Sequence, residues 1–240
     1  MKKVLSILMS LLLVCVIAGC SSSEQDMPIA SGQEPGAAVT PDHQETDTSL
    51  PAETQNQQIL IAYFSVPEDV DTAGVDAVAG ASIVVSDGEK LGNTQYVAKL
   101  LQDATGGDLF RIETVTPYPP DHEPLLDQAN EEKAAAVRPE LSAQVEDFER
   151  YDIVLLGYPN WWADLPMPVY SFLESYDFSG KTIIPFITHG GSRASRTVET
   201  IAELQPDASV YDNALIISRN DVAKSGNDVT AWITDIFTDS

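Results

Sequence analysis

Three segments of this 240-residue chain combine glycine, hydroxyl, amide and aromatic residues in patterns that suit ligand binding. The first is Gly92-Asn93-Thr94-Gln95. Its glycine lets the backbone approach a ligand, and Asn and Thr can cap a helix whose first N–H groups attract an anion. The segment has no lysine or arginine, in contrast to a Walker loop, so neutral donors would hold a phosphate. An ordinary helix cap without a ligand is the alternative interpretation.

The other two segments are short loops of unusual composition. Tyr158-Pro159-Asn160-Trp161-Trp162 contains adjacent tryptophans. A loop folded back on the core accounts for one of them but hardly for both, and an indole offers a flat surface for stacking. In Thr188-His189-Gly190-Gly191-Ser192 the glycines would admit a planar ligand, and the serine can cap the next helix. A lone His189 is more typical of a hydrogen-bonding residue than of a catalyst or metal ligand. We call residues 92–95, 158–162 and 188–192 the first, second and third loops.

The apolar pattern predicts the elements that position these loops. Short apolar runs predict five strands, and residues at helical spacing or with helix-start signals predict five intervening helices. This alternation predicts an α/β fold, a doubly wound and mostly parallel sheet with helices on both faces. Ligands bind such sheets beyond the carboxyl ends of the strands, where the three loops fall. The predicted strands are 59–64, 108–113, 151–157, 181–188 and 210–218, and the predicted helices are 93–104, 123–137, 166–176, 192–204 and 222–237.

An insert, residues 66–91, separates the first predicted strand from the helix that should follow it. Within the insert, residues 81–85 and 89–91 lie on either side of Ser86-Asp87-Gly88 and predict a small hairpin around an Asp-Gly turn. Because the insert starts and ends at the first loop, we expect it to lie over or beside the anion site. A surface excursion without ligand contact is the alternative.

Ser65 followed by Gly92-Asn93-Thr94 resembles the flavodoxin phosphate loop, in which a strand-end hydroxyl and a Gly-Asn-Thr helix start wrap the phosphate of FMN. The second and third loops are similar to the flavin loops of a flavodoxin-like subgroup common in bacteria. The resemblance covers about Ile59 to the C-terminus. It implies a flavodoxin-like, five-stranded parallel sheet and FMN as cofactor. The implied FMN-binding residues are Ser65, Gly92, Asn93, Thr94, Gln95, Pro159, Asn160, Trp161, Trp162, Thr188, His189, Gly190, Gly191 and Ser192.

Two departures from the family pattern concern the phosphate. The family loop is usually continuous, whereas the insert interrupts it here. Leu91 stands where the family commonly has a hydroxyl residue, so one phosphate donor is either missing or supplied by the insert.

The resemblance implies a site that acts through electrostatics, with no catalytic residue of the protein. Aromatic stacking and an acidic surround would disfavour the anionic reduced flavin. A one-electron carrier that docks on a partner with a basic face is the first expectation. An FMN-dependent oxidoreductase with a nicotinamide donor and a quinone-like acceptor is the alternative. A binding module that lost the flavin is a third reading, favoured by Leu91 and the interrupted loop.

Net charge and incomplete motifs argue against a nucleic-acid-binding protein and against a calcium-binding loop. The 13 basic and 37 acidic residues give a net charge of −24, which argues against nucleic acid as a partner. Asp69-Val70-Asp71 begins a pattern similar to a calcium loop, but Ala73 and Gly80 stand at ligand positions, so no metal site is expected.

The N-terminus predicts export and lipidation. Lys2 and Lys3 precede an apolar run that is too short to span a bilayer comfortably. Ile17-Ala18-Gly19-Cys20 then resembles the lipobox of bacterial lipoproteins, which predicts a signal peptide over residues 1–19 and a diacylated Cys20. An ordinary secretory signal with an incidental cysteine is the alternative.

The remaining boundaries follow from composition. Residues 20–57 are rich in Ser, Gln, Glu, Thr and Pro without periodicity and predict a disordered tether. Residues 58–240 form the predicted flavodoxin-like domain. We therefore expect an extracytoplasmic protein that is lipid-anchored to a bacterial membrane.

Overall fold

Strands and helices alternate along the computed structural model, which describes residues 57–75 and 77–238. The predicted signal peptide, Cys20 and all but the last residue of the predicted tether lie outside the described residues. Within those ranges no helix has both the length and the apolarity needed to cross a membrane. The strands are β1 (Ile59–Tyr63), β2 (Ala77–Val78), β3 (Ile83–Ser86), β4 (Glu89–Gly92), β5 (Asp108–Arg111), β6 (Ile153–Pro159), β7 (Thr182–His189), β8 (Ser209–Val210) and β9 (Leu215–Ser218). The helices are α1 (Asn93–Thr105), α2 (His122–Ala134), α3 (Met167–Ser175), α4 (Thr197–Leu204) and α5 (Gly226–Thr238).

The main sheet is parallel and has the order β5-β1-β6-β7-β8, with β9 also paired to β7. The predicted doubly wound, five-stranded parallel fold with an insertion after the first strand is thus confirmed. At the fifth position of the sheet, β8 pairs with the start of β7 and β9 pairs with its end, although the sequence predicted one strand over 210–218. Asp212 and Asn213 explain the break, because both residue types disfavour strands and favour turns. The Trp232 side chain on α5 donates a hydrogen bond to the Asn213 carbonyl at this break.

The core lies on both faces of the sheet. In β1 the odd-numbered side chains, such as Ile61, pack with residues of α1 and α5. The even-numbered ones, such as Leu60, pack with residues of α3 and α4. Burial on both faces explains why β1 reads as a continuous apolar run and not as an alternating one.

The insert forms a three-stranded antiparallel sheet, β2-β3-β4. Asp87 and Gly88 connect β3 to β4 with φ of +51° and +79°, as a two-residue type I′ turn requires, so the predicted hairpin is present. Ile83, Val84 and Leu91 are buried, and Val84 joins the core beneath α1 and α5. The insert is therefore packed on the domain beside the start of α1, where the Ser82 carbonyl accepts a hydrogen bond from the Asn93 N–H.

One predicted helix start is wrong. Helix α4 begins at Thr197 and not at residue 192, so Ser192 does not cap it. The intervening residues Arg193 and Ser195 have φ of +55° and +54°, which is incompatible with a helix. The other predicted helices and strands are present, with ends that differ by a few residues.

Candidate functional site

The insert returns the chain to the point where it left the sheet. A Cβ atom built on Gly92 would lie 2.2 Å from the Ser65 hydroxyl oxygen. Ser65 at the end of the first strand is thus in contact with the first loop. Gly92 has φ of −69°, which any residue can adopt. A side chain at this position would displace the Ser65 hydroxyl, so glycine permits the contact. The close approach places Ser65 beside the first turn of α1.

Two of the first N–H groups of α1 are already bonded within the protein. The Asn93 N–H donates to the Ser82 carbonyl of the insert over 2.8 Å. The Gly92 N–H donates to the Gln95 side-chain oxygen over 3.3 Å, so Gln95 caps its own helix. The first N–H groups of a helix have no carbonyl partner within the helix. The N–H groups of Thr94 and Gln95 are therefore the donors that remain for a ligand.

The Asn93 side chain is the clearest sign of a ligand at this helix start. It is only 2% exposed, yet neither its oxygen nor its nitrogen has a hydrogen-bond partner among the described residues. An unpaired buried amide of this kind costs about 1–3 kcal/mol. A phosphate would be a suitable partner, because the amide, the backbone N–H groups and the Ser65 hydroxyl are neutral donors at the positive end of a helix. The residues present therefore fit a phosphate group.

Leu91 adds no donor to this set. Its side chain is apolar and buried in β4. The hydroxyl that the family commonly has at this position is therefore absent.

Thr94 connects the first loop to the third. Its hydroxyl lies 2.8 Å from the hydroxyl of Thr188 at the end of β7, and both side chains are buried. A hydroxyl has one proton and two lone pairs, so this bond leaves Thr94 able to make another.

The two tryptophans of the second loop have different environments. Trp161 packs edge-on against Phe64 and Tyr118, with ring centroids 5.2 and 5.5 Å away. Trp162 is 49% exposed and has φ of +53°. Core packing thus accounts for Trp161, and Trp162 is the ring that is offered to a stacking partner.

The turn that presents Trp162 is strained. Trp161 and Asp164 exchange backbone hydrogen bonds of 3.1 and 3.0 Å, and both residues between them have positive φ. Neither Trp162 nor Ala163 is a residue that favours this conformation. Strain of this kind costs about 1–3 kcal/mol per residue and is concentrated at functional sites.

Asn160 ties the second loop to the third. Its backbone N–H donates to the Thr188 carbonyl over 2.8 Å, and its side-chain nitrogen donates to the Arg193 carbonyl over 2.7 Å. Its side-chain oxygen is buried and has no partner within the described ranges. Pro159, the last residue of β6, is paired in register with Thr188. The second and third loops are therefore connected, and the bond between Thr94 and Thr188 joins the first loop to them, so the three loops form one rim.

His189 is held neutral in the third loop. Its Nδ1 accepts a hydrogen bond of 2.9 Å from the Gly191 N–H. Burial, and then the positive charge of Arg193, lower the pKa of His189 below its usual range, and Asp221 partly opposes them. Gly191 has φ of +138°, where glycine is needed.

Arg219 is a residue of this rim that the sequence did not single out. Its N–H donates to the His189 carbonyl over 2.8 Å, and its guanidinium lies beside Gly190. No local motif marks this position, because it depends on the long-range pairing of β9 with β7. The only available signal was that Arg219 directly follows the last predicted strand.

A cleft of about 440 Å³ lies on the β5 side of β1. Ser65 and Phe64 line it together with Tyr118 and residues from the end of β5. Arg111 donates to the Ser65 carbonyl over 3.3 Å and forms an ion pair with Glu113. The pKa of Tyr118 is raised by burial and by its hydrogen bond to Glu132. The cleft thus reaches Ser65, the residue whose side chain lies beside Gly92.

Solved structures of flavoproteins resemble the fold. A putative flavoprotein from Bacteroides eggerthii DSM 20697 is 25% identical, with 76% of this chain and 99% of that chain covered and a TM-score of 0.52. One from Bacteroides uniformis ATCC 8492 is 24% identical, covering 74% and 97%, with a TM-score of 0.50. A flavoprotein from Lactobacillus acidophilus NCFM, solved in complex with FMN, is 19% identical, covering 74% and 99%, with a TM-score of 0.50.

No curated protein was found to match the sequence. A family model described as Flavodoxin matches residues 82–236, more than half of the chain. The match begins inside the insert, so β1 and Ser65 precede it. It includes all three loops. On this evidence the chain belongs to the flavodoxin family.

Proposed function

We propose that this protein binds FMN at the rim formed by its three loops and transfers electrons through it. The observation that carries the proposal is the buried amide of Asn93 at the start of α1, which has no hydrogen-bond partner within residues 57–75 and 77–238. The FMN complex of the Lactobacillus acidophilus flavoprotein, which shares the fold, supports the same cofactor. Bound FMN would supply the redox chemistry, and the protein would set its affinity and potential.

The first loop would hold the phosphate. The N–H groups of Thr94 and Gln95, the Asn93 amide and the Ser65 hydroxyl would donate to its oxygens. The positive end of the α1 dipole stabilises the negative charge without a lysine or arginine.

The second and third loops would hold the ring system. Trp162 offers an exposed aromatic face, and Gly190 and Gly191 let the backbone of the third loop approach a planar group. Asn160 of the second loop fixes the distance to the third loop through its bonds to the carbonyls of Thr188 and Arg193. The remaining predicted ligands of these two loops are proposed to border the ring system as well: Pro159, Trp161, Thr188, His189 and Ser192.

A substitution that separates ligand binding from folding tests this proposal. Asn93→Leu removes two unpaired buried polar atoms, so we expect the free energy of unfolding of the FMN-free protein to stay the same or rise. The same change should weaken FMN binding by about tenfold or more, as for a lost bond to a charged group. Asn130→Leu on the exposed part of α2 is the control. FMN affinity that is equal in both variants would contradict the proposed phosphate site.

The purified protein should be yellow and release FMN on denaturation. Colourless protein that takes up no FMN would favour the binding-module alternative. Steady-state oxidation of NAD(P)H in the presence of a quinone would identify an oxidoreductase. If this activity is absent and protein partners reduce and reoxidise the bound FMN, the protein is an electron carrier.

The proposed location is the extracytoplasmic face of a bacterial membrane. This part of the proposal rests on the sequence of residues 1–20, which predicts removal of the signal peptide and lipidation of Cys20. Two acyl chains give stable anchoring. Cys20→Ser should release the protein from the membrane fraction, whereas Cys15→Ser, inside the predicted signal peptide, should not. Continued membrane association of Cys20→Ser would argue against lipidation.

A further inference from the structure

Among the residues that the structure describes, two arginines beside the third loop lack an acidic partner. Across the described ranges most basic side chains form an ion pair or bond to backbone carbonyls, as Arg196 does with Glu203 and Lys181 does with Glu149 and Tyr151. The guanidinium groups of Arg193 and Arg219 form no ion pair within those ranges. In a chain with 37 acidic and only 13 basic residues, two unpaired cations at one rim are unexpected.

Arg219 lies flat against the backbone of the third loop. Its Cζ, Nε and Nη1 atoms are each 3.4 Å from the position that a Cβ atom of Gly190 would occupy. Equal distances to three atoms of a planar group indicate that the face of the guanidinium, and not its edge, covers Gly190. A Cβ atom at position 190 would be in ordinary van der Waals contact with the guanidinium, so the charged group lies directly over this part of the third loop.

Arg193 brings a second positive charge to the same loop. Asn160 holds its carbonyl, and its φ of +55° fixes an uncommon backbone conformation for arginine. Its charge contributes to the lowered pKa of His189. Asp221 is the acidic group that acts on His189 in the opposite direction. The loop thus has two positive charges against one nearby carboxylate.

We propose that Arg219, supported by Arg193, stabilises the negative charge that FMN gains on two-electron reduction. The inference rests on the proposed binding of FMN to this rim. Reduction by a hydride donor adds two electrons and one proton, which leaves one negative charge on the ring system. An adjacent guanidinium lowers the free energy of that anion by Coulomb attraction. This arrangement contrasts with the acidic surround expected of a one-electron carrier and favours two-electron chemistry.

Sulfite provides a probe that requires no electron donor. The lone pair of the sulfite sulfur forms a bond to N5 of oxidised FMN, and the negative charge then resides on the ring system. A positive charge beside the ring strengthens this adduct, which is measured by loss of the flavin absorbance. The reduction potential, measured by titration with dithionite, reports the same stabilisation independently.

The experiment compares four variants of the FMN-loaded protein. Arg219→Gln should weaken the sulfite adduct by about tenfold or more, since a tenfold change corresponds to about 1.4 kcal/mol. It should also lower the reduction potential. Arg219→Lys should retain most of both properties, and Arg193→Gln should show a smaller loss because Arg193 is more exposed. Lys224→Gln removes an exposed charge that also has no ion pair in the described residues, and should change neither property.

The outcomes separate this inference from the proposed function. If Arg219→Gln behaves like Lys224→Gln while both bind FMN, the inference is overturned and FMN binding stands. A change in the affinity for oxidised FMN alone, with the sulfite adduct and potential unchanged, would assign Arg219 a purely structural role and would also overturn it. Wild-type protein that takes up no FMN would overturn both proposals.

Discussion

The hydroxyl groups of Thr94 and Thr188 lie 2.8 Å apart in the buried space between the start of α1 and the end of β7. The bond joins the first loop to the third. The third loop is in turn joined to the second by Asn160. A ligand phosphate bound by Thr94 would therefore be coupled to the loop that is proposed to meet the ring system.

A double-mutant cycle measures this coupling. Thr94→Val should weaken FMN binding by about 1–3 kcal/mol, because it removes a hydroxyl proposed to bond a charged phosphate. Thr188→Val should have a smaller effect, because the Thr188 hydroxyl only orients the Thr94 hydroxyl toward the phosphate. The double variant should therefore resemble Thr94→Val. Thr230→Val, whose hydroxyl bonds a carbonyl within α5, is the control. Fully additive effects would show that the two hydroxyls act independently.

Substitution of Gly92 tests the contact that closes the first loop. Gly92→Ala would place its new Cβ atom 2.2 Å from the Ser65 hydroxyl oxygen. We expect a loss of stability of about 1–3 kcal/mol and weaker FMN uptake, because the Ser65 side chain must move away from its position to relieve this clash. Gly80→Ala, with no atom within 4 Å of its Cβ position, is the matched control.

A second substitution makes this test specific. Ser65→Ala removes the oxygen that Gly92→Ala would meet, which leaves 3.3 Å to the Cβ of residue 65. The double variant should recover stability relative to Gly92→Ala. If the double variant unfolds at the same temperature as Gly92→Ala, the loss of stability in Gly92→Ala does not come from contact with the Ser65 hydroxyl.

Gly157 should be essential for packing at the end of β6. A Cβ atom there would lie 2.1 Å from Cζ of the Phe186 ring. Gly157→Ala should lower the free energy of unfolding by about 3 kcal/mol or more in urea titrations, since the buried Phe186 ring has no space to move away from the new Cβ atom. Phe186→Leu in the same chain should restore part of the loss. Gly226→Ala at the start of α5, where the Cβ position is open, should behave almost like the wild type.

The lowered pKa of His189 predicts a pH dependence of stability. Burial and the charge of Arg193 place this pKa in the folded protein below the ordinary value of 6.5. Below pH 6.5 the unfolded chain therefore binds a proton that the folded protein resists, so stability falls as the pH decreases toward the folded-state pKa. Above pH 6.5 the contribution of His189 is complete.

NMR titration of the His189 ring tests the causes of the shift. Arg193→Gln should raise its pKa toward the ordinary value, and Asp221→Asn should lower it further, because these charges act in opposite directions. Protonation at Nδ1 would also break the bond from the Gly191 N–H, so the Gly191 amide resonance should shift with the same midpoint. A His189 pKa at or above 6.5 in the wild type would contradict the assigned environment.

Most of the fold could be predicted from the sequence because its strands carry continuous apolar runs. β1, β6 and β7 lie inside the sheet with both faces covered, and their patterns leave little ambiguity. The edge of the sheet was harder to predict. Tyr211 still bonds to the Ile183 carbonyl, but Asp212 and Asn213 then leave the sheet, and apolar content alone does not locate such a break.

The site was predicted in part, for a different reason. The three loops were recognised because Gly, Asn, Thr and Trp residues are unusual at strand ends, and the structure brings these loops to one rim. The different environments of Trp161 and Trp162 were not predictable, because Trp161 meets Tyr118, a residue distant in sequence. Arg219 was missed because its contact with Gly190 depends on the register between β9 and β7.

The hairpin of β3 and β4 also has a consequence for the order in which the chain folds. Ser65 and Gly92 meet only after the residues between them have been closed into a loop, and the entropy of closure grows slowly, by about 0.6 kcal/mol for each doubling of loop length. Hairpins form within about 1–10 μs, before long-range parallel strands assemble. Because the hairpin pairs Gly92 with Ile83, its early formation shortens the loop that must still close before Gly92 meets Ser65. The turn at Asp87 and Gly88 is exposed at the far end of this hairpin, so added sequence there would lengthen the tip and leave the junction intact.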